Sequence, residues 1–502
     1  MASSTIEHIV IVGGGSAGWL SAGVLAASHP HMKVTLIESP DVAPIGVGEG
    51  TWPTMRDTLC KIGVSESDFF RECDAAFKQG SKFNAWVTGR ADDYYFHPFV
   101  LPQGYGETNL VARWQECHAA IPFADLVSFQ PHLCTHGKAP KQAATPEFAA
   151  VANYGYHLDA GKFGQFLRKH CIDKLGVRFI ADHVTGIDSH ENGDIASLRT
   201  MHTGDLSGDL FVDCTGMQSL LLGKHYGVEF LSQKHVLFND RALAVQIAYP
   251  EQDTPIASQT TSTAQKAGWI WDIGLPSRRG IGHVYSSAHT SDEAAEQALR
   301  DYIGRDDVAQ PRKIAFEPGY RRQFWHRNCV AIGLSAGFIE PLEASALALV
   351  ELSANMLADE MPANRAVMEI VARRFNEAFT YRWERVIDFL KLHYVLSQRT
   401  DSDYWMDNRA APERLAELMV LWRHRPPSRA DFGRIDEIFP SASYQYVLYG
   451  MGFRTDHIGA HKPDIADSYF REAAALTAKM LGALPANRAL IDHIKRRGLP
   501  TI

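Results

Sequence analysis

Residues 9–28, IVIVGGGSAGWLSAGVLAAS, restrict the fold more than any other stretch of this 502-residue chain. An unbroken apolar run gives way to three glycines and then to an Ala/Leu-rich helical pattern, which reads as strand, turn and helix. The glycines fall as Gly13-x-Gly15-x-x-Gly18, and a second apolar run, KVTLIES, carries Glu38 20 residues beyond Gly18. Each position has a chemical reason. Gly13 permits the tight turn, Gly15 lets a pyrophosphate approach the backbone, and Gly18 lets helix and strand pack closely. Ser16 and Ala17 open the helix whose amide end faces phosphate charge, and Glu38 can accept hydrogen bonds from ribose hydroxyls. The spacing predicts a dinucleotide site in an α/β, Rossmann-like fold. Its place at the N-terminus, with no second motif of its kind, favours FAD alone over an FAD-plus-NADPH pair.

At roughly 150 residues per unit, the length allows two to four units. Hydrophobic residues at 45% and charged residues at 22% are ordinary for a globular protein. A net charge of -8 without a basic block argues against a nucleic-acid partner. The seven cysteines are widely spaced and form no CxxC pair, so neither a disulfide framework nor a metal site is expected. No basic stretch with a following apolar run and cleavage site opens the chain, and no run approaches the ~18 apolar residues of a membrane span. These features predict a reduced, cytoplasmic, soluble protein with no membrane partner.

Residues 55–80 and 160–174 carry helical patterns, so Lys78 and Lys82 are expected to share a helical face. From Val177 to Gly216, short β-type runs alternate with Asn-Gly and Ser-Gly turns, as in a meander. The last of them, DLFVDCTG (Asp209–Gly216), looks like the strand that returns flavoprotein chains to their FAD. GWIWDIGLP (Gly268–Pro276) reads as a strand whose alternate side chains, Trp269 and Trp271, enter one core. From about Glu343 the apolar residues fall at helical spacing and strand signals become few. The expected division is an FAD-binding α/β core over residues 1–342, with a substrate-facing segment at about 80–150. A mainly helical part over residues 343–502 is expected to pack on it in one compact body.

A series of segments then follows in a telling order: IGVGEGTWPTM (Ile45–Met55), FFRECDAAFKQGSKFNAW (Phe69–Trp86), NYGYHLDAGKFGQFLR (Asn153–Arg168), GWIWDIGLP, GIGHVYSS (Gly280–Ser287), GFIEPLEASAL (Gly337–Leu347) and SQRTDSDYW (Ser397–Trp405). Together with the glycine turn, these resemble the flavin-dependent halogenases of the tryptophan-halogenase type over nearly the whole chain. The resemblance implies a flavin-monooxygenase-type fold with an added β-sheet and a mainly helical C-terminal part. It implies bromination or chlorination of an electron-rich aromatic by FADH2, O2 and halide, with a separate NAD(P)H-dependent flavin reductase as partner. Gly48, Glu49 and Gly333 join the implied flavin contacts. Trp269 and Trp271 fall on a WxWxIP signature near the flavin, with Gly274 in place of its Pro.

In that family hypohalous acid is passed to a lysine, whose amine hydrogen-bonds it or forms a haloamine. The matching residue is Lys78, in AFKQG, with Lys82 as its competitor. Burial would favour the neutral amine. Halogen attack on an indole leaves a cation that must lose a proton, a task for a buried carboxylate. The resemblance puts this at Glu343, in EPLEAS, next to Glu340; the alternative role is a charge facing a helix N-terminus. Halide-binding main-chain amides map to Ser345 and Ala346. The family usually has Ser-Thr-Gly where this chain has Ala344-Ser345-Ala346, so chloride and bromide both stay open.

His97 and Phe99, in YYFHPF, match the aromatic positions that hold an indole. Tyr444 matches one of two tyrosines that grip the amino-acid end of tryptophan, but Gln445 stands at the second. No acidic residue lies between Ser441 and Thr455, and Trp422 is the last tryptophan. The carboxylate and ammonium clamp is therefore expected to be lost, and the substrate to be an indole without the free amino-acid group, or tryptophan within something larger. Two rival functions stand beside this one: an FAD-dependent aromatic hydroxylase that reduces its own flavin, and a non-catalytic flavin-binding redox sensor. Monomer and homodimer are both open.

Overall fold

The computed structural model describes residues 5–41, 49–305, 307–456 and 462–501, which fall into two compact units. Residues 1–74, 158–233 and 317–383 make the first, and residues 75–157, 234–316 and 384–502 the second. The boundary expected at residue 342 falls inside the first unit. The reason is that residues 317–383 supply both a strand of its sheet, Cys329–Ala331, and a helix, Ser345–Asp359, that packs on the helix Ser16–Ser28.

In the first unit the strand His8–Val12 is a β-branched run buried along almost its whole length, as the interior of a parallel sheet requires. It lies inside a six-stranded sheet ordered Trp325–His326, Cys329–Ala331, Leu210–Asp213, His8–Val12, Lys33–Glu38, Arg178–Ala181. Every neighbouring pair is parallel except the antiparallel pair at the Trp325 edge. The helix Ser16–Ser28 joins the two strands that open the chain. It is apolar around its circumference, which suits an element covered on several sides, and the helices Ala160–Leu175 and Ser345–Asp359 pack on it. The DLFVDCTG run is the parallel neighbour of the first strand, and Cys214 N donates to Val12 O at 2.8 Å. The meander is an antiparallel sheet of Val184–Ser189, Ile195–Thr200 and Asp205–Ser207.

The second unit holds a seven-stranded sheet ordered Arg312–Ala315, Arg241–Ala248, Arg278–Tyr285, Gly268–Gly274, Thr260–Gln265, Gly80–Asn84, Tyr94–Pro98. Only the pairing of Thr260–Gln265 with Gly80–Asn84 is parallel. Trp269 and Trp271 lie two residues apart on Gly268–Gly274 and therefore on one face. Both are buried, with ring centroids 6.3 Å apart. Trp271 opposes Gly282 on the next strand, and a Cβ there would lie 2.1 Å from the Trp271 ring, so the missing side chain is what admits the indole. Trp86 continues the cluster towards Tyr394 and Trp405.

The helix expected across residues 55–80 ends early. Helices cover Thr54–Lys61 and Glu66–Glu72, but Ala76–Lys78 and Gly80–Asn84 are strands. Ala76–Lys78 pairs with Gly155–Leu158, and Gly80–Asn84 lies between Thr260–Gln265 and Tyr94–Pro98; this pairing overrides the local helical pattern. Lys78 and Lys82 therefore share no helical face. The C-terminal third is helical as expected, with the long helix Arg365–Val395 carrying the chain from the first unit into the second.

Cys60 and Cys117 are exposed free thiols, and Cys73, Cys134, Cys171, Cys214 and Cys329 are buried ones. Among the described residues no helix is long and apolar enough to cross a membrane, and no group of three or more His, Cys, Asp or Glu could hold a metal ion.

Candidate active site

In the first unit the glycine turn has the geometry its spacing predicts. Gly13 sits at φ +112°, and a Cβ on it would lie 2.2 Å from Cys214 O. A Cβ on Gly18 would lie 1.8 Å from Gly13 O, whereas one on Gly15 would meet nothing within 4 Å. Two glycines thus close the turn and the third leaves open space in front of the helix. That helix begins at Ser16 without a side-chain cap, so its first amides are left for a ligand. The Glu38 carboxyl lies against Gly14, where a Cβ would be 2.1 Å from Glu38 Cδ, and Arg168 is 4.0 Å from its Oε2. Burial raises the Glu38 pKa and the Arg168 charge opposes the rise. Gly333 joins the same place: at φ +79°, its Cβ would fall 2.7 Å from that of Ala17. Burial pushes Glu49 up to about 7. Gly48 lies outside the described residues. An open approach, uncapped amides and an acid at the turn fit a dinucleotide.

Glu343 belongs to this unit. It is buried, as is Glu340, and its carbonyl accepts the Trp52 indole N–H at 2.7 Å, a bond worth about 1 kcal/mol net. Ala344 follows in the left-handed region, at φ +55° and ψ +40°, and turns the chain into the helix Ser345–Asp359. Ser345 is buried and Ala346 partly so at the first turn of that helix, again without a side-chain cap. Their amides have the uncapped character an anion requires.

Lys78 belongs to the second unit. It is 1% exposed, with Nζ 5.5 Å from the centre of the Phe99 ring. Lys82 differs: it is half-buried on the next strand, with Nζ 4.9 Å from the Tyr94 ring. Between them Gly80, at φ +145°, passes so close to the neighbouring strand that a Cβ would be 2.5 Å from His97 O. Phe99 is fixed through its backbone. The Gln130 side-chain oxygen accepts from Phe99 N at 2.8 Å and Val100 N at 2.9 Å, and Asn153 Nδ2 donates to Phe99 O at 3.0 Å. Gln130 Nε2 in turn donates to Asn153 O at 2.6 Å.

His97 is buried within 2.8 Å of Ser443 Oγ and beside the Phe389 and Phe439 rings. Tyr444 has no exposed surface; its ring packs against Phe389, Trp422 and Phe432. Gln445 Nε2 donates to Pro427 O at 2.8 Å, which commits this side chain to the backbone. The second unit thus brings Lys78, Phe99, His97 and Tyr444 into one fold, and the first brings the glycine turn, Glu38, Gly333, Glu343 and Ser345 into another.

Comparison with known proteins decides what these parts belong to. The family model for tryptophan halogenase matches residues 8–464. Tryptophan 7-halogenase RebH of Lentzea aerocolonigenes is 30% identical, with 99% of each chain covered. The chain belongs to the tryptophan halogenase family. A crystal structure of a tryptophan halogenase from Shewanella frigidimarina is 50% identical over 99% of each chain, with a TM-score of 0.97. A tryptophan C-6 flavin-dependent halogenase from taromycin biosynthesis is 32% identical over 97% of this chain and 100% of the other, with a TM-score of 0.92. This family member is a flavin-dependent halogenase, an oxidoreductase, which sets aside the hydroxylase and the sensor.

Three features of the site escaped the sequence reading. Trp52 reaches the backbone of Glu343 across nearly three hundred residues, and Gln130 is the brace of Phe99. Neither carries a local signal. Asp213 does, as the acid ending the FVD run: its carboxylate accepts from Thr215 N, Thr215 Oγ1, Leu221 N and Leu222 N and so sets the turn beside Gly13.

Proposed function

We propose that this tryptophan-halogenase family member brominates or chlorinates an electron-rich, indole-type aromatic, using FADH2, O2 and halide, with reduced flavin supplied by a separate reductase. The glycine turn, Glu38, Glu49 and Gly333 would hold the flavin. When bound, reduced flavin with oxygen supplies the oxidising power that converts halide to hypohalous acid. Ser345 and Ala346 would offer main-chain amides to the halide. Lys78 captures the hypohalous acid, by hydrogen bond or as a haloamine. Glu343 stabilises the cation left by halogen attack on the ring and takes its proton.

The observation that carries this reading is the placement of Lys78. It is a buried amine against a braced phenylalanine, while its neighbour Lys82 is half in water. An electrophile held there is kept from bulk solvent. The engagement of Gln445 with Pro427 and the packed ring of Tyr444 support a substrate without the free amino-acid group.

The test is product formation with flavin reductase, FAD and NADH, in chloride and bromide separately, with indole and tryptophan compared by mass spectrometry. K78A should lower product by about 100-fold or more while FAD binding and flavin oxidation continue, the scale expected when a group acting at the reacting atoms is lost. K82A should stay near the wild type. Unchanged yield in K78A removes the lysine from the mechanism, and tryptophan turning over as well as indole removes the substrate reading.

A further inference from the structure

A buried histidine stands beside Lys78 with no part in the scheme above. The strands Ala76–Lys78 and Gly155–Leu158 pair antiparallel, with Ala76 opposite His157 and Lys78 opposite Gly155. Directly opposed residues, and residues two apart on a strand, share a face. Lys78 and His157 are therefore diagonal neighbours on one face, at a separation that long side chains span. The residue directly across from Lys78 is a glycine, so that position of the strand pair puts no side chain beside the lysine. His157 is fully buried, and its Nε2 is 2.8 Å from Thr260 Oγ1. Its other nitrogen, Nδ1, is buried and has no hydrogen-bond partner among the described residues.

Either ring nitrogen can carry the proton in this pair; in the tautomer that donates Nε2–H to the Thr260 hydroxyl, a bare lone pair is left on Nδ1. Lys78 chemistry needs such a lone pair. Halogenation of an ammonium by hypohalous acid breaks the O–X bond and forms an N–X bond, and the halogen keeps its oxidation state as it moves. One ammonium proton leaves with the hydroxyl as water, a second must go to a base, and the third stays on the haloamine.

We propose that His157 is the proton acceptor for Lys78, taking the second ammonium proton on Nδ1 when the haloamine forms and returning it when the halogen leaves for the aromatic ring. This rests on the lysine reading given above. Burial first, and the Lys78 charge second, hold the His157 pKa well below its ordinary value. The second effect has a timing consequence. While Lys78 is an ammonium it opposes protonation of His157, and a haloamine, having no charge, does not. The base becomes stronger at the step that needs it.

The test is a single turnover in chloride with reduced FAD and oxygen but no aromatic, followed by iodide titration of protein-held oxidant. Wild type should retain oxidant, K78A none. H157A should bind FAD normally but load Lys78 about 10- to 100-fold more slowly, the lower range for loss of a positioned base. Added imidazole should restore the rate, which it would not do for a merely structural defect. H157Q, which keeps much of the ring's volume and supplies no base, serves if H157A does not fold. Loading at the wild-type rate in either variant, or a slow H157A rate that imidazole leaves unchanged, overturns the role of His157. Oxidant retained by K78A would instead overturn the lysine reading beneath it.

Discussion

The turn after the first strand and the neighbourhood of Lys78 are built by opposite means. The turn lies within six residues and works by omission: Gly13 and Gly18 have no side chain because backbone oxygens occupy that space, and Gly15 has none so that a ligand can enter. The lysine is surrounded by contributions from widely separated stretches, among them Phe99, Gln130, Asn153 and His157, and each adds a contact or a brace. A cradle made of absences should fail abruptly when filled. A pocket made of braces should decline in steps as they are removed.

The sharpest way to break that contrast is G18A, where the added Cβ meets backbone with nowhere to move. It should abolish FAD retention and lower Tm; a variant that binds FAD normally by fluorescence titration would end the steric account. Next is Q130L, which removes the acceptor of Val100 N and leaves Phe99 N only its longer bond to Gln79 O, at 3.3 Å. A loss of about 2 kcal/mol in urea unfolding is expected, with product per flavin oxidised reduced but not abolished. G15A separates the glycines from one another. Its Cβ enters open space, so Tm should hold while FAD affinity drops about tenfold, equivalent to 1.4 kcal/mol.

The smallest effect concerns a polar side chain in the first unit. Glu351 lies buried between two helices, accepting from Thr58 Oγ1 at 2.7 Å, and burial pushes its carboxyl up to about 8 from an ordinary 4.5. An acid whose folded pKa is raised stabilises the fold fully below about 4.5, and that contribution is lost as pH rises through about 8. Wild-type Tm should therefore decline more steeply across this window than that of E351Q. Parallel pH profiles would show that Glu351 is not protonated in the folded state.

The same contrast explains what the sequence made legible. Strand, turn, helix and Glu38 were readable because every requirement of the turn sits in adjacent residues. The meander and the tryptophan strand were readable for the same reason. The run through Lys78 misled because its helical pattern is local, whereas the strand holding Lys78 finds its partner only at Gly155, and the strand after it needs Thr260–Gln265 as well as Tyr94–Pro98. Lys78 itself came from resemblance alone, and nothing in its own segment foretold burial. Gln130 and His157 gave no signal, since their meaning arises only when strands far apart in the chain align. Composition shifts near residue 342, yet the first unit runs on past it through the helix Ser345–Asp359, whose place in that unit rests on packing rather than on composition.

The uneven exposure of the thiols bears on how long such a catalyst lasts. Cys60 and Cys117 meet solvent and five others do not. Thiols are early casualties of electrophilic oxidants, passing through sulfenic to irreversible acids. In the proposed chemistry, every halogen equivalent that escapes would scar these two positions before the interior. Their oxidation state after a known number of cycles would therefore serve as a built-in odometer of leakage, and C60S/C117S enzyme should keep working for more cycles than its parent.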